Sequence, residues 1–533
     1  MSIASIQSYQ VLDSRGEPTI RVRMSSESGL VRQFDAPSGT SVSGLEAKAI
    51  FDGGASYAGH AVSESVDIIN SIIGPKFIGY PLSHQEDFDS LITALDGTLD
   101  RSRLGTQTLT ALSGAYFLLS CAEQKQPVWM VVADLLKTKP ALPRLYANLV
   151  AGGAHAPGLD LQEFMIVPKT TSPSLATALV YDVRSTLQSI FESLYGPAVQ
   201  LSSEEGAMAP IGATSEVVLE AMQQLQAKFN NSYDIALDAA ANHFFTNGTY
   251  TLARQTYDMQ QLGGQYMAWD QKYPLLSVED PFAEQDIEGL KYLAGQPSKK
   301  FFVVGDDSTA TDAERIRVLA EQKLIGAVII KPNQAGTMTD MFKAIRAAQS
   351  LGLKIIISHR SGETNDIMLA DLAFGIGAFG IKLGAPARGE RVAKYNRLIE
   401  IESDQGLVPQ VTTPTPVAAP APVATQPLPQ QPIASSPAPA PVPQPSIAPA
   451  PPVAPVAPPQ PPAIPQPVPA QAIHNTTLYP SPSANELHAP PAPSPTVAPI
   501  QPVAPQQQAA PVSSAANSMP NSSQSAGSPA FNI

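Results

Sequence analysis

The sequence predicts an α/β protein in three consecutive parts: an α+β domain over residues 1–130, a barrel of βα units over 131–405, and a disordered Pro/Ala/Gln-rich tail over 406–533. Three observations carry this. The N-terminal residues alternate apolar and polar side chains with period two, as a half-buried antiparallel sheet requires. Beyond Leu142, six short apolar runs each end in a charged residue, and those ends recur roughly every 23 to 41 residues, about one βα unit. From Leu407 the composition changes: about two-thirds of the 53 prolines lie there, with one glycine (Gly527), one acid (Glu486) and no lysine or arginine. Such a chain cannot form a packed core and favours extended polyproline II.

Taken in order, residues 3–12 read as a strand, 13–16 (Asp-Ser-Arg-Gly) as a turn, and 19–24 and 31–34 as two further strands of a meander. Helical periodicity follows over 60–73, 84–95 and 106–123, punctuated by Gly and Pro. The six apolar runs lie at 234–238, 275–279, 301–307, 327–331, 354–360 and 379–382. Continuous apolar runs suit parallel strands buried on both faces.

The formal net charge of -13 falls almost wholly before the tail, so this part is a poor general binder of nucleic acid or anionic membrane. An anionic substrate would need a local cluster of cations or a metal. Cys121 is the single cysteine, so no intrachain disulfide forms, and its apolar setting reads as a buried free thiol. No basic segment followed by an apolar one opens the chain, and no stretch approaches the ~20 apolar residues of a membrane span. The expected location is cytoplasmic, with cell-surface or secreted copies left open.

Barrel active sites sit where strands end, and the six runs end in Asp238, Glu279, Asp306, Lys331, His359-Arg360 and Lys382. Three carboxylates gathered at one low-dielectric mouth repel one another strongly, and a hard cation removes that repulsion. Oxygen donors without His or Cys favour Mg²⁺ over Zn²⁺. The bland alternative is that each carboxylate caps the helix that follows it. A lysine beside such a site has its pKa lowered by burial and by the cation, which suits a general base; the alternative is a lysine snorkelling over the rim. Arg360 can grip a phosphate or carboxylate bidentately, and Ser361 adds a hydroxyl. These parts describe removal of a proton beside a carboxylate in a phosphorylated substrate.

The segments Leu-Asp-Ser-Arg-Gly-Glu-Pro-Thr at 12–19, Gln-Glu-Phe-Met-Ile at 162–166, Ser-Val-Glu-Asp at 277–280 and Gly-Asp-Asp at 305–307 match a known family. So do Lys-Pro-Asn-Gln-Ala-Gly-Thr at 331–337, Ser-His-Arg-Ser-Gly-Glu-Thr at 358–364 and Ile-Lys-Leu-Gly at 381–384. Together they closely resemble the signature segments of enolase, over essentially residues 1–405. The resemblance implies an N-terminal α+β lid domain and a variant (β/α)8 barrel. It implies the reversible Mg²⁺-dependent dehydration of 2-phosphoglycerate to phosphoenolpyruvate in glycolysis and gluconeogenesis. Asp238, Glu279 and Asp306 would hold magnesium, Lys331 would remove the C2 proton, and Glu205 would protonate the leaving 3-hydroxyl. Glu163 and His359 would support catalysis, while His155, Gln162, Arg360, Ser361 and Lys382 would contact substrate. Ser41, in a mobile loop, would help hold a second, catalytic magnesium.

Departures from the family pattern are expected to matter locally. Ser43 stands where a hinge glycine is usual, a restriction if that position needs positive φ, and Ser203 replaces a glycine in the Glu205 loop. Enolases pair a glutamate in the first hairpin with an arginine late in the barrel across a dimer interface. Here those positions are Arg21 and Glu400, so the resemblance implies a homodimer with this pair reversed in sign. A second reading, from another class, is an enolase-like body with decayed chemistry acting as a structural or surface interaction protein through its tail. The survival of all the charged positions favours the enzyme. The tail's partner is left unknown, and its expected reach is at most roughly 390 Å at ~3.1 Å per residue.

Overall fold

A computed structural model of the chain describes residues 1–39, 43–200 and 203–407. Ser41 and nearly all of the tail lie outside the described residues.

Strands β1 (Ile3–Leu12), β2 (Pro18–Ser26) and β3 (Val31–Asp35) form an antiparallel meander, with Leu12 opposite Pro18 and Arg21 opposite Asp35. The first turn is fixed by Asp13, whose Oδ1 accepts from the N–H groups of Arg15 at 2.8 Å and Glu17 at 3.0 Å. Five helices follow: α1 (Ser63–Ile68), α2 (Gly74–Lys76), α3 (Gln85–Asp96), α4 (Thr106–Glu123) and α5 (Val128–Leu136). The expected helix over 60–73 is thus shorter, because the chain widens into a π-type turn at Ile69–Ile73. Helix α4 is rich in small residues and is buried on almost every side between Thr106 and Cys121. A Cβ at Gly114 would lie 2.6 Å from the Phe34 ring, so glycine lets α4 press onto β3.

Eight strands close the barrel: β4 (Arg144–Ala151), β5 (Glu163–Pro168), β6 (Tyr233–Asp238), β10 (Leu275–Glu279), β11 (Phe302–Gly305), β12 (Ala327–Ile330), β13 (Lys354–Ser358) and β14 (Gly380–Lys382). Three short strands, β7 (Phe245–Thr246), β8 (Thr249–Leu252) and β9 (Gln255–Tyr257), form a separate meander after β6. The outer layer is α6 (Pro173–Tyr195), α7 (Ser215–Lys228), α8 (Met259–Lys272), α9 (Ile287–Ala294), α10 (Ala313–Glu321), α12 (Met338–Ser350), α13 (Met368–Gly375) and α14 (Gly389–Asp404), while the single turn α11 (Pro332–Ala335) follows Lys331 at the site end of β12.

The six apolar runs are the strands β6 and β10 to β14, and they run parallel to one another. Strand β5 departs from the uniform pattern, pairing antiparallel with both β4 and β6. Alternate residues serve two cores, as burial on both faces requires. Ala327 and Ile329 join Tyr146, Met165, Ala236, Val304 and Ile356 in an inner cluster, whereas Val328 and Ile330 pack with the helices. Helices α9, α10 and α12 are capped by the side chains of Asp286, Asp312 and Thr337. The carboxylates at the strand ends are therefore not spent on caps.

Candidate active site

The strand ends deliver their charged residues to one mouth. Strand register sets Asp238 beside Glu279. The Lys382 ammonium lies between them, 2.9 Å from Asp238 Oδ2, 2.8 Å from Glu279 Oε1 and 3.4 Å from Glu163 Oε2. Asp306, just past β11, forms an ion pair with Lys331 and accepts from Gln334 Nε2 at 3.1 Å. It also approaches Asp280 and Asp307, with one carboxylate oxygen of each within 4.8 Å of the others. Lys331 is 8% and Lys382 3% exposed, so neither snorkels over the rim.

The electrostatics are those of a mouth short of positive charge. Burial, then Asp238 and Asp306, push Glu279 well above the usual carboxylate range despite Lys382. Asp306 is held down at about 2, since Lys331 and Lys382 outweigh its burial. Among the protein's own groups, burial acts to lower Lys331 as the sequence predicts, but the Asp306 carboxylate outweighs burial and holds the ammonium above its ordinary value. The carboxylates around Lys382 and Lys331, namely Asp238, Glu279, Asp306 and Asp307 with Asp280, offer oxygen donors, and that set fits a hard divalent cation better than a soft one; His155 lies apart, beside Glu163 and Glu205.

Across the mouth, Glu205 sits in a loop made rigid by Ser203, whose Oγ accepts from the N–H groups of Glu205 at 3.3 Å and Ala207 at 3.2 Å. The serine in place of glycine thus supports the loop. Glu205 Oε1 lies 3.4 Å from His155 Nε2 and 3.3 Å from His359 Nε2, while Oε2 accepts from Asn148 Nδ2 at 3.2 Å. Burial opposes its ionisation, but His359, His155 and Arg391 together hold Glu205 well below its usual range. Glu163, whose carboxylate lies within 4.8 Å of that of Glu205, is driven the other way, by burial first and by the Glu205 charge second. Gln162 Nε2 donates to Asp238 Oδ2 at 3.3 Å, leaving its buried Oε1 without a partner among the described residues.

Arg360, also buried, donates to Glu46 at 2.7 Å and Asn333 at 3.1 Å. Ser38 and Gly362 exchange backbone hydrogen bonds at 2.7 and 2.9 Å, which lays residues 37–39 over the strand-end loop. A Cβ on Gly39 would come within 1.8 Å of Arg360 Nη2, so a side chain there would displace the guanidinium from its place against Glu46. Ser43 is not among the residues with positive φ, so no strain attends the loss of glycine. Its hydroxyl bonds Glu284 and the Asp307 carbonyl, tying the lid segment to the barrel.

One cavity of about 20 Å³ is lined by His155, Gln162, Glu163, Glu205, Asp306, Lys331, His359, Arg360, Ser361 and Lys382, with Ser358. Asp238 and Glu279 lie behind Lys382 at its edge. Arg21 and Glu400 do not meet within the chain: Arg21 grips Asp35 through two 2.6 Å bonds, and Glu400 lies 3.4 Å from Arg397. Sequence reading missed four contributors, Asn148, Asp280, Glu46 and Arg391. Asp280 was visible in the 277–280 segment, and its carboxylate receives the N–H groups of Asp306 and Asp307 at 3.1 and 2.6 Å.

Comparisons with known proteins agree with this geometry. Residues 3–132 match the family described as "Enolase, N-terminal domain", and residues 139–412 match "Enolase, C-terminal TIM barrel domain". The chain is 36% identical over 411 residues to the enolase of Aeropyrum pernix, covering 76% of this chain and 95% of that protein. It is 37% identical over 411 residues to the enolase of Elusimicrobium minutum, and 36% over 409 to that of Methanocaldococcus jannaschii, covering 76% of this chain and 96% of each relative. Matched through both domains, and nearly from end to end of these relatives, the chain belongs to the enolase family of lyases.

Proposed function

We propose that the chain catalyses the reversible dehydration of 2-phosphoglycerate to phosphoenolpyruvate with Mg²⁺. The observation that supports this most is that one cavity sets Lys331 against the Asp306 carboxylate and, apart from it, the neighbouring carboxyls of Glu163 and Glu205.

Asp238, Glu279 and Asp306 are the residues that would hold the divalent cation. When bound, that cation supplies positive charge that relieves Glu279, frees Lys331 from Asp306 and stabilises the doubly charged enolate of the substrate carboxylate. Lys331, as the free amine, takes the C2 proton, and the electron pair passes into the carboxylate. The pair then returns to form the C2–C3 double bond as the C3–O bond breaks. Glu205 gives its proton to the departing hydroxide, which leaves as water, and Glu163 is the store from which that proton comes. Arg360 exchanges Glu46 for the substrate phosphate. The cavity as described holds about one water, so substrate entry requires Gly39 and Glu46 to lift away from Arg360. Closure over substrate then excludes water and strengthens each charge interaction.

Chelation is expected to cut phosphoenolpyruvate formation, followed by its ultraviolet absorbance, at least ~100-fold, because the cation's share of enolate stabilisation is several kcal/mol. Added Mg²⁺ should restore it, and Asp306→Asn should raise the Mg²⁺ requirement by about tenfold or more. Undiminished turnover in excess chelator would rule out the metal's part.

The second half of the proposal is a homodimer of the family type that uses Arg21 and Glu400. Glu400 is largely exposed, with 61% of its side chain open, so its carboxylate stays accessible beside its ion pair with Arg397. Arg21 is shared with Asp35. Sedimentation of Arg21→Glu is expected to show a dimer weakened by about 1 kcal/mol, as for a rim ion pair. Adding Glu400→Arg should recover part of it, with the repulsion between the introduced glutamate and Asp35 remaining. Dimers indifferent to both changes would remove this pair from the interface.

A further inference from the structure

Arg391 lies in the first turn of α14 with no exposed surface, a rare place for a guanidinium. Its donors have definite destinations. Nη1 reaches His359 Nδ1 and the Arg360 carbonyl, and Nη2 donates to the Ser361 carbonyl at 2.6 Å and the Glu204 carbonyl at 3.4 Å. Glu390 Oε1 stands 3.3 Å from Nε.

A guanidinium has only donors, so the imidazole nitrogen it meets must be the one with the lone pair. That nitrogen is Nδ1, which leaves the single ring proton of neutral His359 on Nε2. Nε2 is buried and makes no hydrogen bond among the described residues; the acceptor nearest in line is Glu205 Oε1, 3.3 Å away.

We infer that Arg391 is a positioning residue for proton delivery: by donating to Nδ1 it locks His359 as the Nε2–H tautomer, so that the ring presents its proton to Glu205. The inference rests on the reading of Glu205 as the group that protonates the leaving hydroxyl, and it assigns the residue that sets that group's hydrogen bond. The same contact keeps the ring neutral. Burial first, then the guanidinium, push His359 down to about 4 against the pull of Glu205 and Glu363. Of the other charged groups nearby, His155 and Arg360 lie in loops that line the same cavity, Lys382 ends β14, and Glu390 stands in α14 beside Arg391. A neutral ring places less positive charge beside Glu205 than a facing imidazolium would, and so adds less to the pull that already holds Glu205 down.

The tautomer can be read in the native protein by nitrogen-15 NMR of histidine-labelled chain, with the His359 signals assigned by their loss in His359→Gln. The expected result is an unprotonated Nδ1 and a protonated Nε2, unchanged from pH 7.5 to about 5. A protonated Nδ1, averaging between tautomers, or a charged ring near pH 6.5 would overturn the inference. This measurement needs no turnover, so it stands apart from the enolase reading, whose own failure is absence of product from the native protein.

Kinetics supply the second arm. In Arg391→Lys, kcat is expected to fall roughly 10- to 100-fold, as for loss of other histidine-orienting partners, with KM nearly unchanged. An acid limb should appear at higher pH than in the parent, because the guanidinium's share of the downward push on His359 is lost while burial remains. Exchange of the C2 proton should persist, since Lys331 is untouched. A lower melting temperature with an unshifted pH profile, or exchange lost in step with elimination, would mean that Arg391 only holds the fold. Where the lysine variant fails to fold, the native tautomer decides.

Discussion

Lys331→Ala is expected to lose phosphoenolpyruvate formation by roughly 10³- to 10⁴-fold and to lose exchange of the C2 proton with it. The loss follows from removing the one amine that the structure places against Asp306 inside the cavity, since a positioned general base contributes up to about 10⁴-fold. The substitution also breaks a buried ion pair from one side, which costs roughly 3–5 kcal/mol when nothing replaces the lost charge. A cation held by the carboxylates would replace it. The variant should therefore melt well below the parent in chelator and much closer to it in saturating Mg²⁺. A variant that kept exchange at the C2 position would show that the base lies elsewhere, with Lys382 the next candidate.

Glu205→Gln should separate the two halves of the reaction. The amide keeps the shape of the side chain and its hydrogen bond from Asn148, yet it has no proton to give a departing hydroxide. Elimination is expected to fall roughly 10²- to 10⁴-fold, while solvent exchange at C2 continues. Glu163 should respond as well. Its pKa is raised by burial first and by the Glu205 charge second, so with that charge gone part of the shift relaxes and Glu163 loses its proton at lower pH than in the parent. The residual elimination should accordingly decline on the alkaline side earlier than it does in the parent. Equal loss of exchange and elimination would place Glu205 in the C2 step.

Six of the eight barrel strands were legible because a parallel strand buried on both faces is an unbroken apolar run, and a run that ends in Asp, Glu, Lys or His-Arg marks its own active end. Strand β5 was not, although Glu163-Phe-Met-Ile-Val-Pro is no less apolar. Direction leaves no trace in composition. The one available signal was the connection over 152–162, too short for the helical crossover that parallel strands need. Asp238, Glu279, Asp306, Lys331 and Lys382 were legible for the same reason as the strands they end, whereas Glu163 and Glu205 came from the family resemblance alone.

Their partners were not, because they come from far along the chain. Glu46 meets Arg360 across 314 residues, Asn148 meets Glu205 across 57, and Arg391 meets His359 across 32. Nor could sequence fix the sign of the Lys331 shift. Burial and a neighbouring carboxylate act in opposite directions, and only the closeness of Asp306 decides which prevails. At Ser43 and Ser203 the loss of glycine signalled restricted loops; the structure shows two hydroxyls that tie those loops down.

The most direct test of enolate chemistry at this mouth is to bring the protein, Mg²⁺ and 2-phosphoglycerate to equilibrium in heavy water and locate the label by proton NMR. Each return from phosphoenolpyruvate should place a solvent deuteron on C2 through Lys331 while both hydrogens on C3 are kept. Equilibrium reached with no deuterium at C2, or with deuterium appearing at C3, would contradict the account.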